Sequence, residues 1–280
     1  MSNMVILGAS GFVGQALVGQ LESMGKAFTA HSSKTLNLLA ADTPAQIAAN
    51  VQAGDVVVLL SALTPEKGGA AETTIQNIQM VHNILQGLES IDIKQFIYIS
   101  SDAVYPLAAD MVDETTPVLA DRLYGHAHIV REQMLLELLP AEKLTILRPC
   151  AIYGKGDTHN AYGVMRFIRS ALESKEISLF GEGEEYRDHL HVDDLAAVIT
   201  QAAEQHISGT YNVASGTSMR FMDIAKLIAE QVPGTSINCK PRSVAIQHRH
   251  ANMCKLWKTF PNAIPRSIEV GVKQVLKEHL

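Results

Sequence analysis

The sequence has few cysteines, no long apolar run and no excess of basic residues. Its three cysteines stand far apart, which argues against a disulfide framework or a metal knuckle and favours a reducing, cytoplasmic setting. No apolar stretch approaches the length of a membrane span, and the first apolar run begins at Met4, which predicts that no signal peptide precedes the fold. With 23 Lys and Arg against 29 Asp and Glu, the formal net charge is −6, so nucleic acid is not expected as a partner.

Short apolar runs alternate with amphipathic stretches through the first half of the 280 residues, and 47% of the chain is hydrophobic. This alternation is typical of right-handed βαβ units and a parallel sheet. We predict strands at Met4–Leu7, Ala27–Ala30, Val56–Leu60, Phe96–Ser100 and Leu144–Leu147. We predict helices at Phe12–Met24, Pro44–Val51, Thr73–Leu88 and Leu123–Leu139. The predicted fold class is α/β, with a Rossmann-type doubly wound parallel sheet over residues 1–150.

After Ala151 the alternation of short apolar runs and amphipathic stretches becomes less regular, and loops that contain glycine separate the predicted elements. We predict helices at Tyr162–Ser174, Val192–Gln205, Phe221–Gln231 and Arg266–Glu278, with strands at Ile177–Phe180 and Thr210–Val213. Residues 151–280 are therefore expected to form a smaller C-terminal α/β substrate lobe. No linker separates the halves, so the lobe is expected to be interwoven with the first domain.

A glycine turn directly follows the first predicted strand and opens the first predicted helix. Gly8 suits a tight turn, Gly11 lets the backbone approach phosphates, and Gly14 lets the helix lie close to the strand. The spacing is G-x-x-G-x-x-G, not the commoner G-x-G-x-x-G, and a tight turn without a ligand is the alternative. A strand, a glycine turn and a helix place a pyrophosphate at the helix N-terminus. We therefore predict a dinucleotide bound by Gly8, Ser10, Gly11, Phe12, Val13 and Gly14.

The next two strand ends bear on which dinucleotide binds. An acidic residue after the second strand would favour NAD, but the chain has His31, Ser32, Ser33 and Lys34 there. These residues could receive a 2′-phosphate, which favours NADP slightly over NAD, although a solvated polar loop explains them nearly as well. After the third strand, the small residues of Ser61-Ala62-Leu63 would let a cofactor lie flat across the sheet edge.

Hydroxyl and imidazole groups follow the fourth strand and open the helix after it. Ser101 lies just past the strand, where it could face a substrate or only cap the strand end. Tyr124 and His128 are four residues apart, so they share one helix face. His128 could alternatively be a helix-surface histidine beside His126.

Taken together, these motifs resemble the extended short-chain dehydrogenase/reductase family, in its nucleotide-sugar epimerase/dehydratase branch. The resemblance runs nearly end to end. The matching segments are Gly8–Gly14, Asn77-Ile78-Gln79, Ser101–Tyr105, Leu147–Gly154, Gly181–Ala196 and Tyr211–Ala214. The resemblance implies hydride transfer with NADP or NAD on a nucleotide-activated sugar. It also implies a homodimer like the family's dimers, through faces such as those of residues 73–88 and 123–139.

The resemblance also implies roles for individual residues. Ser101 and Tyr124 would be catalytic, and Tyr124 and Pro149 would also lie against the cofactor. The family's Tyr-x-x-x-Lys lysine, which holds the nicotinamide ribose and lowers the pKa of the tyrosine, is replaced by His128. His128 would then be the third catalytic residue and would donate to the ribose hydroxyls of the cofactor. A weakened site, or a protein that only binds, is the alternative. Asp102 and Ala103 would face the substrate, but the dehydratases of the family carry Glu at the position of Ala103. This change argues against dehydration.

The C-terminal motifs imply how the substrate is held. Arg187 would bind the diphosphate of the substrate, with a surface ion pair to Asp188 or Glu185 as the alternative, and Arg249 would be a second phosphate contact. His189 and His191 could suggest a metal site, but no cysteine or carboxylate stands at a spacing that would complete a set of ligands, so no metal is expected. A keto-sugar reductase and an epimerase would share this machinery. A dinucleotide-binding sensor without turnover is the alternative from another class, and Arg187-Asp188 speaks against a reductase of small carbonyls.

Overall fold

The computed structural model describes residues 3–64, 69–159 and 163–279. Within these residues the strands are β1 (Met4–Leu7), β2 (Phe28–His31), β3 (Val56–Leu59), β4 (Gln95–Ile99), β5 (Met111–Val112), β6 (Leu144–Pro149), β7 (Ala151–Tyr153), β8 (Glu176–Phe180), β9 (Tyr186–Arg187), β10 (His189–His191), β11 (Gly209–Val213), β12 (Met219–Arg220), β13 (Ser236–Lys240) and β14 (His250–Ala251). The α-helices are α1 (Phe12–Ser23), α2 (Thr43–Asn50), α3 (Ala70–Leu88), α4 (Leu123–Leu138), α5 (Val164–Ser174), α6 (Val192–Gln205), α7 (Phe221–Gln231), α8 (Cys254–Thr259) and α9 (Ile268–His279).

A six-stranded parallel sheet forms the centre, in the order β11-β6-β4-β3-β1-β2. The order reverses between β1 and β3, because β2 lies on one side of β1 and all later strands lie on the other. Leu7 pairs with both His31 and Leu59, so the carboxyl ends of the three strands are level. Ligands of open α/β sheets bind in the crevice at such a reversal. The prediction of a Rossmann-type parallel sheet is confirmed.

Alternate side chains of the strands pack into two apolar cores, one on each face of the sheet. In β1, Val5 and Leu7 belong to the core on one face, and Met4 and Ile6 belong to the core on the other. Helices α2, α3 and α4 pack next to one another, and α1 packs against α6. Both faces of the sheet are therefore covered, as the near-continuous apolar strands require.

The C-terminal part adds a third apolar core around α5, α7 and α9. Its strand β11 joins the central sheet, and its other strands form two-stranded pairs, of which β14 with β5 returns the chain to the loop that follows β4. The predicted start of a helix at Tyr162 lies outside the described residues, and α5 is described from Val164. Strand β13 and helix α8 are additions that the sequence pattern did not predict. None of the helices in the described ranges is both long and apolar enough to cross a membrane.

Candidate active site

The glycine turn lies between the carboxyl ends of β1 and β2. The backbone N–H groups of Gly8 and Ala9 both donate to the carbonyl of His31, at 2.9 Å each. Gly8 has a φ of +104°, and a methyl group there would lie 2.7 Å from the Ser61 Oγ, so glycine is required for conformation and for space. A methyl group on Gly14 would lie 2.7 Å from the Cα of Ala9, so this glycine lets α1 sit against the turn.

Helix α1 begins at Phe12 with Gly11 as its N-cap, and no side chain caps it. The first N–H groups of an uncapped helix are donors without intrahelical partners, which suits an anion. Ser10 and Gly11 are exposed, and Phe12 and Val13 are half-buried. Among the described residues, the nearest heavy atom that a methyl group on Gly11 would meet is the Gly8 oxygen, at 3.3 Å. The turn therefore presents an open face at the sheet edge.

At the end of β2, the His31 side chain is buried and both ring nitrogens lack a hydrogen-bond partner among the described residues. Burial lowers the pKa of His31. Ser32 forms a turn with Thr35, whose hydroxyl accepts from the Ser32 N–H at 2.9 Å, while Ser33 and Lys34 are exposed. The arrangement leaves one buried imidazole and one exposed ammonium group beside the glycine turn.

The loop after β3 is held from two helices. The Asn77 side chain of α3 accepts from the Leu63 N–H and donates to the Leu63 carbonyl, both at 2.8 Å. Arg131 of α4 donates from Nη2 to the Ser61 carbonyl at 2.7 Å. Ser61, Ala62 and Leu63 are therefore fixed in a half-buried position directly against Gly8.

Helix α4 packs on the short turn that follows β4. Ser101 is the N-cap of a 3-10 helix at Asp102–Val104, and its Oγ accepts from the Ala103 N–H at 3.1 Å. A methyl group on Gly125 would overlap the Ala103 carbonyl oxygen and would lie 2.7 Å from the Ala120 Cβ. Gly125 therefore brings the first turn of α4, with Tyr124, against the segment that carries Ser101.

His128 is buried, which excludes the helix-surface alternative, whereas His126 is exposed. Its ring makes an edge contact with Tyr124, with centroids 4.7 Å apart, and its Nδ1 lies 2.5 Å from the Tyr98 hydroxyl. Nε2 has no hydrogen-bond partner in the part of the chain that the structure describes. Burial, and secondarily the charge of Arg131, lower the pKa of His128 well below its usual value, so the imidazole is neutral at pH 7.

Behind these residues runs a buried polar network that the sequence analysis did not use. Ser100 donates to Glu132 at 2.5 Å, and Glu132 accepts two bonds from Arg148, at 2.9 and 2.5 Å. Arg148 also donates to the Tyr105 hydroxyl at 2.9 Å, which donates to Asn212 at 2.8 Å. The network links α4 to β4, β6 and β11, so it fixes the strand ends from behind. Pro149, at the end of β6, is buried and pairs with Val213 of β11.

Arg187 and Arg249 come together beside Asp102. They form a β-bridge, and Arg249 donates from Nη2 to the Pro106 carbonyl at 2.9 Å, while its Nη1 has no described partner. Burial raises the pKa of Asp102, and the two arginines oppose that rise. Asp188 instead accepts from Ser215 and Gly216, and the structure gives Arg187 no ion pair with a described carboxylate. The surface ion-pair alternative with Asp188 is therefore wrong.

His189 and His191 pack around Tyr153, with ring centroids 6.4 and 5.2 Å away. Burial lowers the pKa of His189 to about 4. Within residues 3–64, 69–159 and 163–279, no group of three or more His, Cys, Asp or Glu side chains could hold a metal ion.

The sequence model of the NAD dependent epimerase/dehydratase family matches residues 4–214. The chain belongs to this family. A relative from Escherichia coli O157:H7, N-acetyl-alpha-D-glucosaminyl-diphospho-ditrans,octacis-undecaprenol 4-epimerase, is 27% identical over 242 residues, which cover 81% of this chain and 71% of the relative. Two further relatives are covered over only 55% and 44% of their own length.

Two solved structures show the same fold. RMD from Pseudomonas aeruginosa, complexed with NADPH, has a TM-score of 0.83 at 21% identity, with 99% of each chain covered. UDP-glucose 4-epimerase from Thermus thermophilus, in complex with NAD, has a TM-score of 0.82 at 17% identity, with 98% of each chain covered. The family membership makes this an NAD(P)-dependent protein of the nucleotide-sugar epimerase/dehydratase type. An open, uncapped α1 turn and the unpartnered buried Nε2 of His128 fit a dinucleotide at this edge.

Proposed function

We propose that this protein catalyses hydride transfer at a carbinol or ketone carbon of a nucleotide-activated sugar. The observation that carries the proposal is the edge contact of Tyr124 with the buried His128, beside Ser101 and the strand-order reversal. NAD or NADP, when bound, supplies or accepts the hydride. Replacing Tyr124 by Phe tests the proposal, since turnover of a nucleotide sugar should be lost while cofactor affinity remains.

Each of the three central residues has a separate task. The Ser101 oxygen accepts one bond from Ala103, and its O–H, which hydrogen-bonds the Asp102 carboxylate, would turn to the reacting oxygen of the sugar. Tyr124 gives or takes the proton of that oxygen. His128 would donate from Nε2 to the nicotinamide ribose, Pro149 and the loop Ser61–Leu63 would contact the cofactor, and residues 8–14 would hold the pyrophosphate. The measurable consequence is that His128→Ala weakens both turnover and cofactor binding.

Arg187 and Arg249 are proposed to bind the diphosphate of the substrate, with Asp102 and Ala103 facing the sugar. The guanidinium groups of Arg187 and Arg249 lie beside the Asp102 carboxylate, and Glu185, which also faces Arg187, is paired with Arg242. Guanidinium geometry suits phosphate oxygens. Arg187→Met should raise KM for the nucleotide sugar far more than it changes cofactor affinity. An unchanged KM would remove Arg187 from the substrate site.

Epimerase and reductase remain as two outcomes of this machinery. The 4-epimerase name of the Escherichia coli relative supports epimerisation, whereas the absence of a carboxylate at His31–Lys34 supports NADP and a reductase. Ala103 offers no carboxyl group for elimination, which disfavours dehydration. Loss of NADPH absorbance with a 4-keto nucleotide sugar would indicate a reductase, and interconversion of sugars without net cofactor change would indicate an epimerase.

The cofactor is proposed to be NADP at least as readily as NAD. Lys34 is exposed beside the glycine turn, and no acidic side chain in residues 31–34 would repel a 2′-phosphate. Titration calorimetry should show that Lys34→Glu weakens NADP binding and leaves NAD binding nearly unchanged. Much tighter binding of NAD than of NADP by the unaltered protein would contradict this preference.

A sensor that binds a dinucleotide without turnover is the second candidate. The observation that favours it is the neutral, buried His128, which lacks the permanent charge of a lysine. Tight cofactor binding with no conversion of UDP-, GDP- or dTDP-sugars would support this candidate.

We also propose a homodimer through α3 and α4. These helices pack side by side and expose apolar side chains, with Ile75 67% and Leu136 55% exposed. One chain has a mass of 30.4 kDa, and light scattering should give twice that mass. Ile75→Asp should shift the mass toward that of the single chain, and a single-chain mass for the unaltered protein would contradict the dimer.

A further inference from the structure

Helix α4 carries a buried cation, Arg131, whose positive charge is not required for its hydrogen bond to the loop after β3. Arg131 has 0% of its surface exposed, and its guanidinium carbon lies 4.9 Å from the centre of the Tyr98 ring. Nη2 donates to the Ser61 carbonyl, but Nε and Nη1 have no hydrogen-bond partner among the described residues. A buried guanidinium without a carboxylate partner is costly, so a compensating interaction is expected nearby.

The neighbouring charges cancel one another and leave Arg131 alone. From α4, Glu132 points into the same layer, and from β6, Arg148 faces it with two hydrogen bonds. From β4, Tyr98 contributes a phenol whose pKa burial raises, so it is uncharged. His128, one turn before Arg131, is also uncharged. Arg131 is therefore the uncompensated positive charge of this cluster.

The hydrogen bond of Tyr98 fixes which nitrogen of His128 carries the proton. The Tyr98 oxygen lies 2.5 Å from Nδ1, and burial raises the pKa of Tyr98, so the phenol keeps a proton that it can donate to this nitrogen. Tyr98 therefore donates to Nδ1, and the single proton of the neutral imidazole lies on Nε2. That N–H is the one without a described partner, next to the Tyr124 ring.

We propose that Arg131 is a positioning residue that supplies the positive charge acting on Tyr124, while His128, held by Tyr98, supplies an uncharged N–H donor. Two side chains thereby divide the two tasks that the resemblance assigns to one lysine. A nearby positive charge stabilises a phenolate and so makes Tyr124 a better base. The inference rests on the proposed function only in giving Tyr124 its acid–base task.

The test uses the cofactor-free protein, so it does not depend on turnover. Tyrosine labelled with ¹³C at Cζ reports the phenol pKa by NMR, and the Tyr124 signal is assigned by its loss in Tyr124→Phe. Arg131→Met, which keeps length without charge, should raise the Tyr124 pKa by about one pH unit. Arg131→Lys, which keeps the charge, should leave it within a few tenths of a unit.

Labelling histidine with ¹⁵N tests the second half of the inference in the unaltered protein. His128 should show a protonated Nε2 and an unprotonated Nδ1 from pH 8 to well below the usual pKa of histidine, and Tyr98→Phe should abolish this preference. An unchanged Tyr124 pKa in Arg131→Met, or a His128 that titrates near its usual pKa, would overturn the proposal.

A second variant covers the case in which Arg131→Met does not fold. The double variant with His128→Lys and Arg131→Met moves the cation by one turn, and it should leave the Tyr124 pKa close to that of the unaltered protein. A raised pKa there would contradict an electrostatic role. If the pKa results hold but no sugar is turned over, the proposed function fails and the charge assignment stands.

Discussion

Gly125→Ala sets helix propensity against packing, and the structure decides which prevails. Within a helix the change from Gly to Ala contributes about 0.5–1 kcal/mol in favour of folding. At Gly125, however, the new methyl group would lie 2.7 Å from the Ala120 Cβ, where ordinary contacts begin at 3.4 Å, and it would overlap the Ala103 carbonyl oxygen. Neither obstacle is the end of a flexible side chain, so α4 must shift by about 0.7 Å or more.

We expect the shift of α4 to affect the rate of the reaction more than the stability of the fold. Overpacking costs about 1–3 kcal/mol, so Gly125→Ala should be destabilising by about 1–2 kcal/mol after the helix contribution. A displacement of about 1 Å between reacting groups costs about 100-fold in rate, and the shift would move Tyr124 away from the segment that carries Ser101. We expect kcat with a nucleotide sugar to fall on that scale while cofactor affinity changes little.

Gly19→Ala in α1 is the matched control, because nothing lies within 4 Å of a methyl group there. It should raise the melting temperature slightly and leave turnover unchanged. If Gly125→Ala behaves like this control, with higher stability and full turnover, the packing argument for the site is refuted.

Three further predictions concern Tyr124, His128 and the dependence of stability on pH through His189. Tyr124→Phe should lower turnover by about 100- to 10,000-fold in steady-state assays, with cofactor affinity retained in calorimetry. His128→Lys should lower the melting temperature, because it places a second cation beside Arg131, and adding Arg131→Met should restore it; an unaltered melting temperature in the single variant would contradict this. Because the folded pKa of His189 is about 4, below its unfolded value, stability should be complete above pH 6.5 and decline as the pH falls toward 4, by at most about 3 kcal/mol. Urea unfolding of His189→Gln should show a smaller decline over this pH range.

Local patterns were sufficient for the first half of the fold. Buried strands such as Val56–Leu59 and the glycine turn can be recognised from consecutive residues, because an apolar run or a set of glycines determines the backbone conformation within a few positions. Helix α3 begins at Ala70, three residues before the predicted Thr73, since no side-chain cap marks its start. The two-residue strands of the C-terminal part have too few residues for a period and depend on distant partners, so they could not be predicted.

The candidate site was predictable where a motif exists and not where packing decides. Tyr124 and His128 follow from their spacing, and their edge contact agrees with it. The burial of Arg131 could not be read from the sequence, because an arginine on a helix is usually exposed. Its spacing of three from His128, on a face that includes the buried Ala127 and Leu135, was the available signal.

The pairing of β14 with β5 has a consequence for synthesis of the chain. His250 pairs with Met111, 139 positions earlier, and Arg249 beside it bonds the Pro106 carbonyl. A ribosome therefore completes the glycine turn, Ser101 and Tyr124 long before the second arginine emerges. Such distant pairing is slow to form, because a long loop loses conformational entropy on closing before the stabilising contacts between the strands are made. The side of the site that carries Arg187 and Arg249 is thus assembled last. If the residues bind as proposed, nascent chains would acquire the means to hold a dinucleotide before the means to hold a sugar diphosphate.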